Sequence, residues 1–168
     1  MEPSLFDEVA DALRNLAPTE LGPIHHQARR YGIKVWFGTG QAPKEHYEAQ
    51  VIGSAAVDDA KVLALEVGFH AEHPRADDNE RIMSRLMKAE RRWRPIIGSE
   101  AVAGAFLGRQ EAWRRVSETW PDPDLSDGEL AFEVAARLTD YVTALEPILR
   151  AEAADDASAP ARRRTRTS

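Results

Sequence analysis

The chain contains no cysteine. This absence excludes disulfide bonds, thiolate nucleophiles and cysteine-ligated zinc, and a reducing cytoplasm is the simplest compartment for such a chain. The chain also contains no apolar run of about 18 residues, so the sequence predicts no membrane span. Its first residues, MEPSLFDEVADAL, lack the basic start and apolar centre of a secretory signal. We therefore expect a cytoplasmic protein.

The composition and the charge limit the class of protein and its partners. The 168 residues are 43% apolar and 30% charged, which is typical of a globular domain. We expect a single domain over residues 1–150 and a disordered tail over residues 151–168, where Ala, Asp, Ser, Pro and Arg dominate. The net charge of −6 gives no overall attraction to nucleic acid. Contact with nucleic acid would therefore need a local basic patch.

Sequence patterns predict the order of the helices and strands. Apolar residues recur at helical spacing in three segments, and six other segments are rich in strand-forming residues. The predicted helices cover residues 5–16, residues 80–97 and a segment that starts at the capping-box residue Ser126. The predicted strands cover residues 24–31, 33–38, 45–53, 61–72, 99–108 and 110–120. This order predicts an α+β fold with a mostly antiparallel sheet of about six strands and three helices packed on one face.

The predicted strand over residues 61–72 has the clearest alternation. Leu65, Val67 and Phe69 point to one side of the strand, and Glu66 and His70 point to the other. Antiparallel sheets commonly bury one face and leave the other face in water. We therefore expect the even-numbered face to lie in solvent, and the two leading hypotheses for function depend on this exposure.

This polar face holds the best candidate cluster. Glu66 and His70 lie roughly 13 Å apart along a strand, so they need a neighbouring strand to form a site. Residues 45–53 offer His46, Glu48 and Gln50 on one face, and the best cluster is Glu48 with Glu66 and His70. We interpret it as hydrogen-bonded side chains on a solvated sheet, with no metal and no cofactor expected. A metal site or an acid–base site is the alternative.

The chemistry of restriction-type nucleases is not predicted. Such sites place acids on adjacent strands and a lysine two positions beyond the second acid. In this chain Gly68 follows Glu66 at that spacing, and Gln50 follows Glu48. Metal-dependent hydrolysis of that kind would therefore lack its cationic partner.

A basic stripe lies on the predicted helix over residues 80–97. Arg81, Arg85, Lys88 and Arg92 fall within about 60° of one another on a regular helix. We interpret this stripe as a solvated face whose side-chain stems cover apolar surface and whose charges pair with acids. A surface for phosphate or nucleic acid is the alternative.

The second half of the chain carries motifs in a fixed order. The strand ALEVGFHAE precedes the helix NERIMSRLMKAERRWRPIIG, the segment WRRV follows, and a D-x-x-L-x-x-E motif runs from Asp127 to Glu133. In these motifs, over residues 60–150, the chain resembles an uncharacterised bacterial domain family often found C-terminal to restriction-type nuclease domains. The chain departs from that family at Ile97, where an acid tends to precede the glycine that ends the helix. The resemblance implies a small α+β accessory module and assigns no catalytic residue.

Three functions stay open on the sequence alone. The first is a non-enzymatic binding or accessory module in a bacterial cytoplasm, whose partner is an unidentified protein or small molecule. It would use the polar sheet face or the basic stripe. The second is a metal-dependent hydrolase centred on Glu48, Glu66 and His70. The third is contact with nucleic acid through the basic stripe.

Overall fold

The computed structural model describes residues 3–38 and 43–158, and for residues 152–158 it describes the backbone alone. Its strands are β1 (Ile24–Arg29), β2 (Gly32–Phe37), β3 (Glu45–Gly53), β4 (Leu63–Ala71), β5 (Val102–Ala105) and β6 (Arg114–Pro121). Its α-helices are α1 (Leu5–Leu16), α2 (Ala76–Lys88), α3 (Glu90–Ile97) and α4 (Leu130–Ser158). The strands form one antiparallel sheet in the order β1-β2-β3-β4-β6-β5. The α+β fold with six antiparallel strands is therefore confirmed.

The first helix forms as its sequence predicts. Val9 and Leu13 lie about one turn apart and are both buried. Ser4 and Asp7 form a capping box, in which each side chain accepts a hydrogen bond from the other residue's backbone N–H, at 3.3 and 3.1 Å. These bonds satisfy N–H groups that the first turn of a helix leaves without a partner. The helix then packs against α4, β1 and β2.

The helices pack on one face of the sheet, and the hydrophobic core lies between them. The odd-numbered residues Leu65, Val67 and Phe69 of β4 are buried in this core. Val134 and Leu138 of α4 belong to the same core. Burial of each large apolar side chain contributes about 1.5–3 kcal/mol of hydrophobic stabilisation. The predicted inward side of β4 is therefore confirmed.

The predicted helix over residues 80–97 is two helices, which raises the number of α-helices in the described residues from the predicted three to four. The first of them begins ahead of the predicted start and ends at Lys88. Ala89, which follows, has φ −99° and ψ 12°, outside the α-helical region. The indole N–H of Trp93 donates to the backbone oxygen of Leu86 at 2.7 Å. This bond satisfies a carbonyl near the interrupted end of α2.

The last helix begins and ends later than predicted. Ser126 does not cap it, because its N–H and its hydroxyl both donate to Asp124 Oδ1, at 2.9 and 2.6 Å, and the helix begins at Leu130. The helix continues through residues 151–158, where the sequence predicts a disordered tail. Alanine, the strongest helix former, fills four of these eight positions. The rest of the predicted tail, residues 159–168, lies outside the described residues. Despite its 29 residues, α4 is not apolar enough to cross a membrane, and no other helix in the described ranges could do so.

Candidate metal centre

Along β4 the second face of the sheet is buried, although its residues are polar. Glu66 and His70 on β4 are 0% exposed, and His46 on β3 is 1% exposed. The prediction that this face lies in solvent is therefore wrong, and the hypotheses that relied on its exposure lose that support. The polar side chains are paired with one another instead, because a buried charge is very costly without a partner.

An aromatic pair covers part of this face. Phe106, which follows β5, packs edge-on against the ring of His70 with 5.1 Å between the centroids. Trp113, which precedes β6, packs edge-on against Phe106 at 5.2 Å. The backbone N–H of Phe106 donates to the backbone oxygen of Trp113 at 3.3 Å and closes the connection between the two strands. This connection shields His70 from water, and the alternation within β4 gives no sign of it.

Gly68 lets β4 pack closely against β6. A Cβ at Gly68 would lie 2.4 Å from the backbone oxygen of Val116, so the close approach requires glycine. On the polar face Gly68 lies between Glu66 and His70. His70 Nε2 lies 3.0 Å from Glu66 Oε1. The expected separation of roughly 13 Å applies to the backbone, and the side chains close it.

Four potential ligand atoms converge where β3 pairs with β4. They are Nε2 of His46, Oε2 of Glu48, Nδ1 of His70 and Oε1 of Glu72, and all lie within 4.8 Å of one another. His46 Nε2 is 3.0 Å from the Glu48 oxygen and 3.4 Å from the Glu72 oxygen. His70 Nδ1 is 3.1 Å and 3.5 Å from the same two oxygens. We call these residues the four-ligand cluster.

The size of the four-ligand cluster matches a transition-metal coordination shell. Its four nitrogen–oxygen distances average about 3.25 Å. An ion equidistant from the four atoms would lie about 2.0 Å from each in a tetrahedral arrangement and about 2.3 Å in a planar one. Zinc bonds to imidazole nitrogen and carboxylate oxygen are about 2.0–2.2 Å long. The observed spacing therefore needs only small side-chain shifts to coordinate such an ion.

Each histidine of the cluster has an inner ring nitrogen, which faces the other ligand atoms, and an outer ring nitrogen, which faces away from them. Each outer nitrogen has a hydrogen-bond acceptor. His46 Nδ1 lies 3.2 Å from the backbone oxygen of Pro43, and His70 Nε2 lies 3.0 Å from Glu66 Oε1. A carbonyl or an ionised carboxylate only accepts, so each outer nitrogen carries the hydrogen and donates it. The inner nitrogens then face the carboxylate oxygens of the cluster. Either a proton on each ring or a metal ion between the rings must hold these atoms together.

The electrostatics of the metal-free cluster follow from the same contacts. Burial opposes the charge of Glu48, but hydrogen bonds with His46 and His70 outweigh burial and lower the pKa of Glu48 to about 2. The pKa of Glu72 is lowered in the same way, with Lys34 as an additional donor. Burial acts to lower the pKa of His70, but hydrogen bonds with the surrounding carboxylates raise that pKa well above its ordinary value. Without a metal the cluster therefore holds ionised carboxylates beside a protonated imidazole.

Buried groups behind the cluster hold its ligands in place. Besides the histidine N–H, Glu66 accepts hydrogen bonds from Gln50 Nε2 at 2.8 Å and from Ser117 Oγ at 2.7 Å. Lys34 Nζ donates to Oε2 of Glu72 at 2.8 Å and lies 3.7 Å from Oε2 of Glu48. An acceptor on the outer nitrogen of a ligand histidine orients the ring and raises its basicity. The arrangement around Glu66 is therefore what a protein metal site requires of its surroundings.

The structure brings the predicted sheet residues together and adds two more. Three predicted residues belong to the four-ligand cluster and two support it from behind: His46, Glu48 and His70, and then Glu66 and Gln50. Glu72 and Lys34 are not among the site residues predicted from the sequence. The signal for Glu72 is its position on the same face of the strand as His70, two residues further on. Its convergence with β3 depends on the register, which the sequence of the connecting turn does not fix.

The predicted basic stripe is divided between two helices. Arg81, Arg85 and Lys88 lie on α2, and Arg92 lies on α3 beyond the break. Arg81 forms an ion pair with Asp78 on its own helix at 3.3 Å, as the solvated interpretation of the stripe expects. The four residues therefore do not form the face of one continuous helix. Contact with nucleic acid through them stays a prediction.

Comparison with known proteins adds no family to this description. No protein-family model, curated protein or solved structure matches the chain. The resemblance to the bacterial accessory family therefore stays a prediction. The fold and the cluster describe an α+β protein with a candidate mononuclear metal centre made of two histidines and two glutamates.

Proposed function

We propose that this protein is a non-enzymatic binding module that holds one divalent transition-metal ion, best matched by zinc, in the four-ligand cluster. One observation carries the proposal. His46 and His70 each commit the outer nitrogen to an acceptor and aim the inner nitrogen at the carboxylate oxygens of the cluster. One divalent ion can replace the protons on both inner nitrogens without changing the net charge of the cluster.

The ligand set favours a zinc-like ion over magnesium or calcium. Calcium takes about six to eight oxygen ligands, and magnesium prefers oxygen ligands and retained waters. In the cluster two of the four ligand atoms are imidazole nitrogens. Imidazole suits zinc, copper, iron and nickel. The absence of cysteine leaves no thiolate to select copper(I).

The number of protein ligands favours a structural role over hydrolysis. Structural zinc sites use four protein ligands, whereas catalytic sites use three and keep one position for water or substrate. The cluster supplies four. The hydrolase hypothesis also places Glu66 among the ligands, but Glu66 binds the outer nitrogen of His70, which points away from the other ligand atoms. The hydrolase is therefore the weaker candidate.

A metal ion in this position would link the two central strands. His46 and Glu48 belong to β3, whereas His70 lies near the end of β4 and Glu72 directly follows it. An ion that binds the folded chain alone stabilises it by about 2.7 kcal/mol when its free concentration is 100 times the dissociation constant. The ion would thus hold the polar face together, as the hydrophobic core holds the opposite face.

Equilibrium zinc binding tests the proposal. Protein stripped with a chelator is titrated with Zn²⁺ in competition with a chromophoric chelator, and we expect one ion per chain. Glu72→Gln should weaken binding by more than about 100-fold, because even changes outside the ligand shell cost 10- to 100-fold. His73→Gln is the matched control, since His73 pairs with Glu45 at 3.0 Å and is not part of the cluster.

The opposite result would be equal zinc affinity in the wild type, Glu72→Gln and His73→Gln proteins, or no specific zinc binding at all. Proton-mediated ion pairs would then account for the cluster. Cytoplasmic location, bacterial origin and an accessory role are sequence-based predictions that form part of this proposal. Their support is the cysteine-free composition and the resemblance described above.

A further inference from the structure

A groove of about 300 Å³ opens on the polar face of the sheet beside the four-ligand cluster. Gln27 of β1 pairs with Lys34 of β2, and Lys34 pairs with Glu48 of β3, so these three side chains form a row across one face. All three line the groove. Glu48 also supplies a ligand atom to the cluster, and Lys34 donates to Glu72. The groove and the cluster therefore share a wall. We call it the β1–β3 groove.

The β1–β3 groove is locally positive in an acidic chain. Its lining includes Arg29, Arg30 and Lys34 against the single carboxylate of Glu48, whereas the chain as a whole carries −6. Arg29 donates to the neutral Gln27 Oε1 at 3.1 Å. Arg30 lies over the ring of the neighbouring tyrosine, 5.1 Å from its centroid. Among the described residues, neither arginine has a carboxylate within ion-pair distance, so their charges are available to a ligand.

We propose that the β1–β3 groove binds a small oxyanion, a carboxylate or a phosphate-class group, and that an ion in the four-ligand cluster strengthens this binding. The strengthening by the metal ion rests on the proposed function, whereas binding of the anion does not. The planar guanidinium groups of Arg29 and Arg30 match the paired oxygens of such anions. The volume is at the lower end of the range for small-molecule sites, which fits a compact ligand.

The coupling between anion and metal follows from Glu48. The Glu48 carboxylate is the one group lining the groove that repels an anion, and one of its oxygens is a ligand atom of the cluster. Without metal the imidazoles of His46 and His70 already pair with that carboxylate. A divalent ion would keep the net charge of the cluster unchanged but concentrate two positive charges about 2 Å from the Glu48 oxygen, and this would weaken the repulsion further. Coupling free energies are reciprocal, so the anion must tighten metal binding by the same factor by which the metal tightens anion binding. We expect a factor of about five to ten, at the lower end of the usual range for coupled sites.

Calorimetric titration with two simple probes tests the inference on the full chain. Sulfate represents the phosphate class and acetate represents carboxylates, and each is titrated into stripped and zinc-loaded protein at constant ionic strength. The test variant is Arg29→Gln with Arg30→Gln, which should weaken binding of the preferred probe at least about tenfold. The control is Arg91→Gln with Arg92→Gln, which makes the same charge change on exposed positions of α3.

The expected result is saturable binding of one probe, tighter with zinc, lost in the groove variant and kept in the control. Equal weakening in both double variants would show general charge attraction and overturn the inference. Absence of saturable binding in stripped and loaded protein would overturn it as well. A chain that binds no zinc but still loses sulfate or acetate binding in the groove variant would refute the proposed function and support the groove.

Discussion

Replacing Glu66 by Gln tests whether the buried network behind the cluster supports metal binding. Glu66 is fully buried, and its oxygens accept hydrogen bonds from His70, Gln50 and Ser117 at 3.0, 2.8 and 2.7 Å. Glutamine keeps the shape and can still accept from His70 through its one oxygen. The Gln50 amide can rotate to offer its own oxygen to the new NH₂ group. Glu66→Gln therefore removes mainly the negative charge beside the histidine.

The expected losses follow from that missing charge. In the metal-free chain, a hydrogen bond to a charged partner contributes about 1.5–3 kcal/mol and a neutral one about 0.5–1.5 kcal/mol, so the free energy of unfolding should fall by about 1–1.5 kcal/mol. In the metal-bound chain, the ring of His70 loses the carboxylate that raises its basicity. Zinc affinity should then fall by about 10- to 100-fold.

Two assays separate these effects, and one variant serves as the control. Urea denaturation of the stripped chain gives the free energy of unfolding, and competitive titration gives the zinc affinity. Glu45→Gln breaks the part-exposed pair between Glu45 and His73, which should cost no more than about 1 kcal/mol and leave zinc affinity unchanged. A Glu66→Gln chain with the zinc affinity of the wild type would refute the argument that Glu66 positions His70 for a metal.

Three further predictions concern the fold. Gly68→Ala should destabilise the chain by about 3 kcal/mol or more in urea denaturation, because the new Cβ would meet the Val116 backbone oxygen at 2.4 Å; unchanged stability would contradict the close strand approach. Tyr141→Phe should leave stability unchanged or raise it by about 1 kcal/mol in the same assay, since the buried hydroxyl has no hydrogen-bond partner among the described residues; a clear loss of stability would contradict this. Asp122 accepts from the backbone N–H groups of residues 61–63, which lower its pKa below 3.8. At pH values above 3.8, the Asp122→Asn chain should therefore melt at a lower temperature than the wild type. The difference in melting temperature should vanish as the pH falls through the lowered pKa of Asp122; a difference independent of pH would contradict this.

The sequence carries enough information for the sheet and the core face. The strand predicted over residues 45–53 has the bounds of β3, and Leu65, Val67 and Phe69 face the core as their alternation predicts. Alternation is a direct consequence of strand geometry, so it survives without knowledge of the rest of the fold. The break at Ala89 is not encoded in this way, because the apolar stripe continues across it. The Trp93 indole bond to the Leu86 carbonyl spans the break.

For the candidate site, the sequence predicts which residues take part but not their surroundings. The residue types of the cluster are visible in the sequence, but their burial is not, because polar alternation normally marks a solvated face. The ring of His70 is covered by Phe106, which lies 36 positions later in the chain. The close approach of β4 to β6 depends on Gly68, where a Cβ would meet the Val116 backbone oxygen. Both facts belong to tertiary packing, so local patterns predict the members of the site and miss its environment.

X-ray absorption at the zinc edge of the loaded protein identifies the ligands of the proposed ion. We expect one zinc per chain with four nitrogen or oxygen ligands at about 2.0–2.2 Å, no sulfur, and the outer-shell scattering of two imidazole rings. His46→Asn should remove the scattering of one ring. A six-coordinate, hydrated ion without imidazole scattering would contradict the claim that His46, Glu48, His70 and Glu72 form a metal centre.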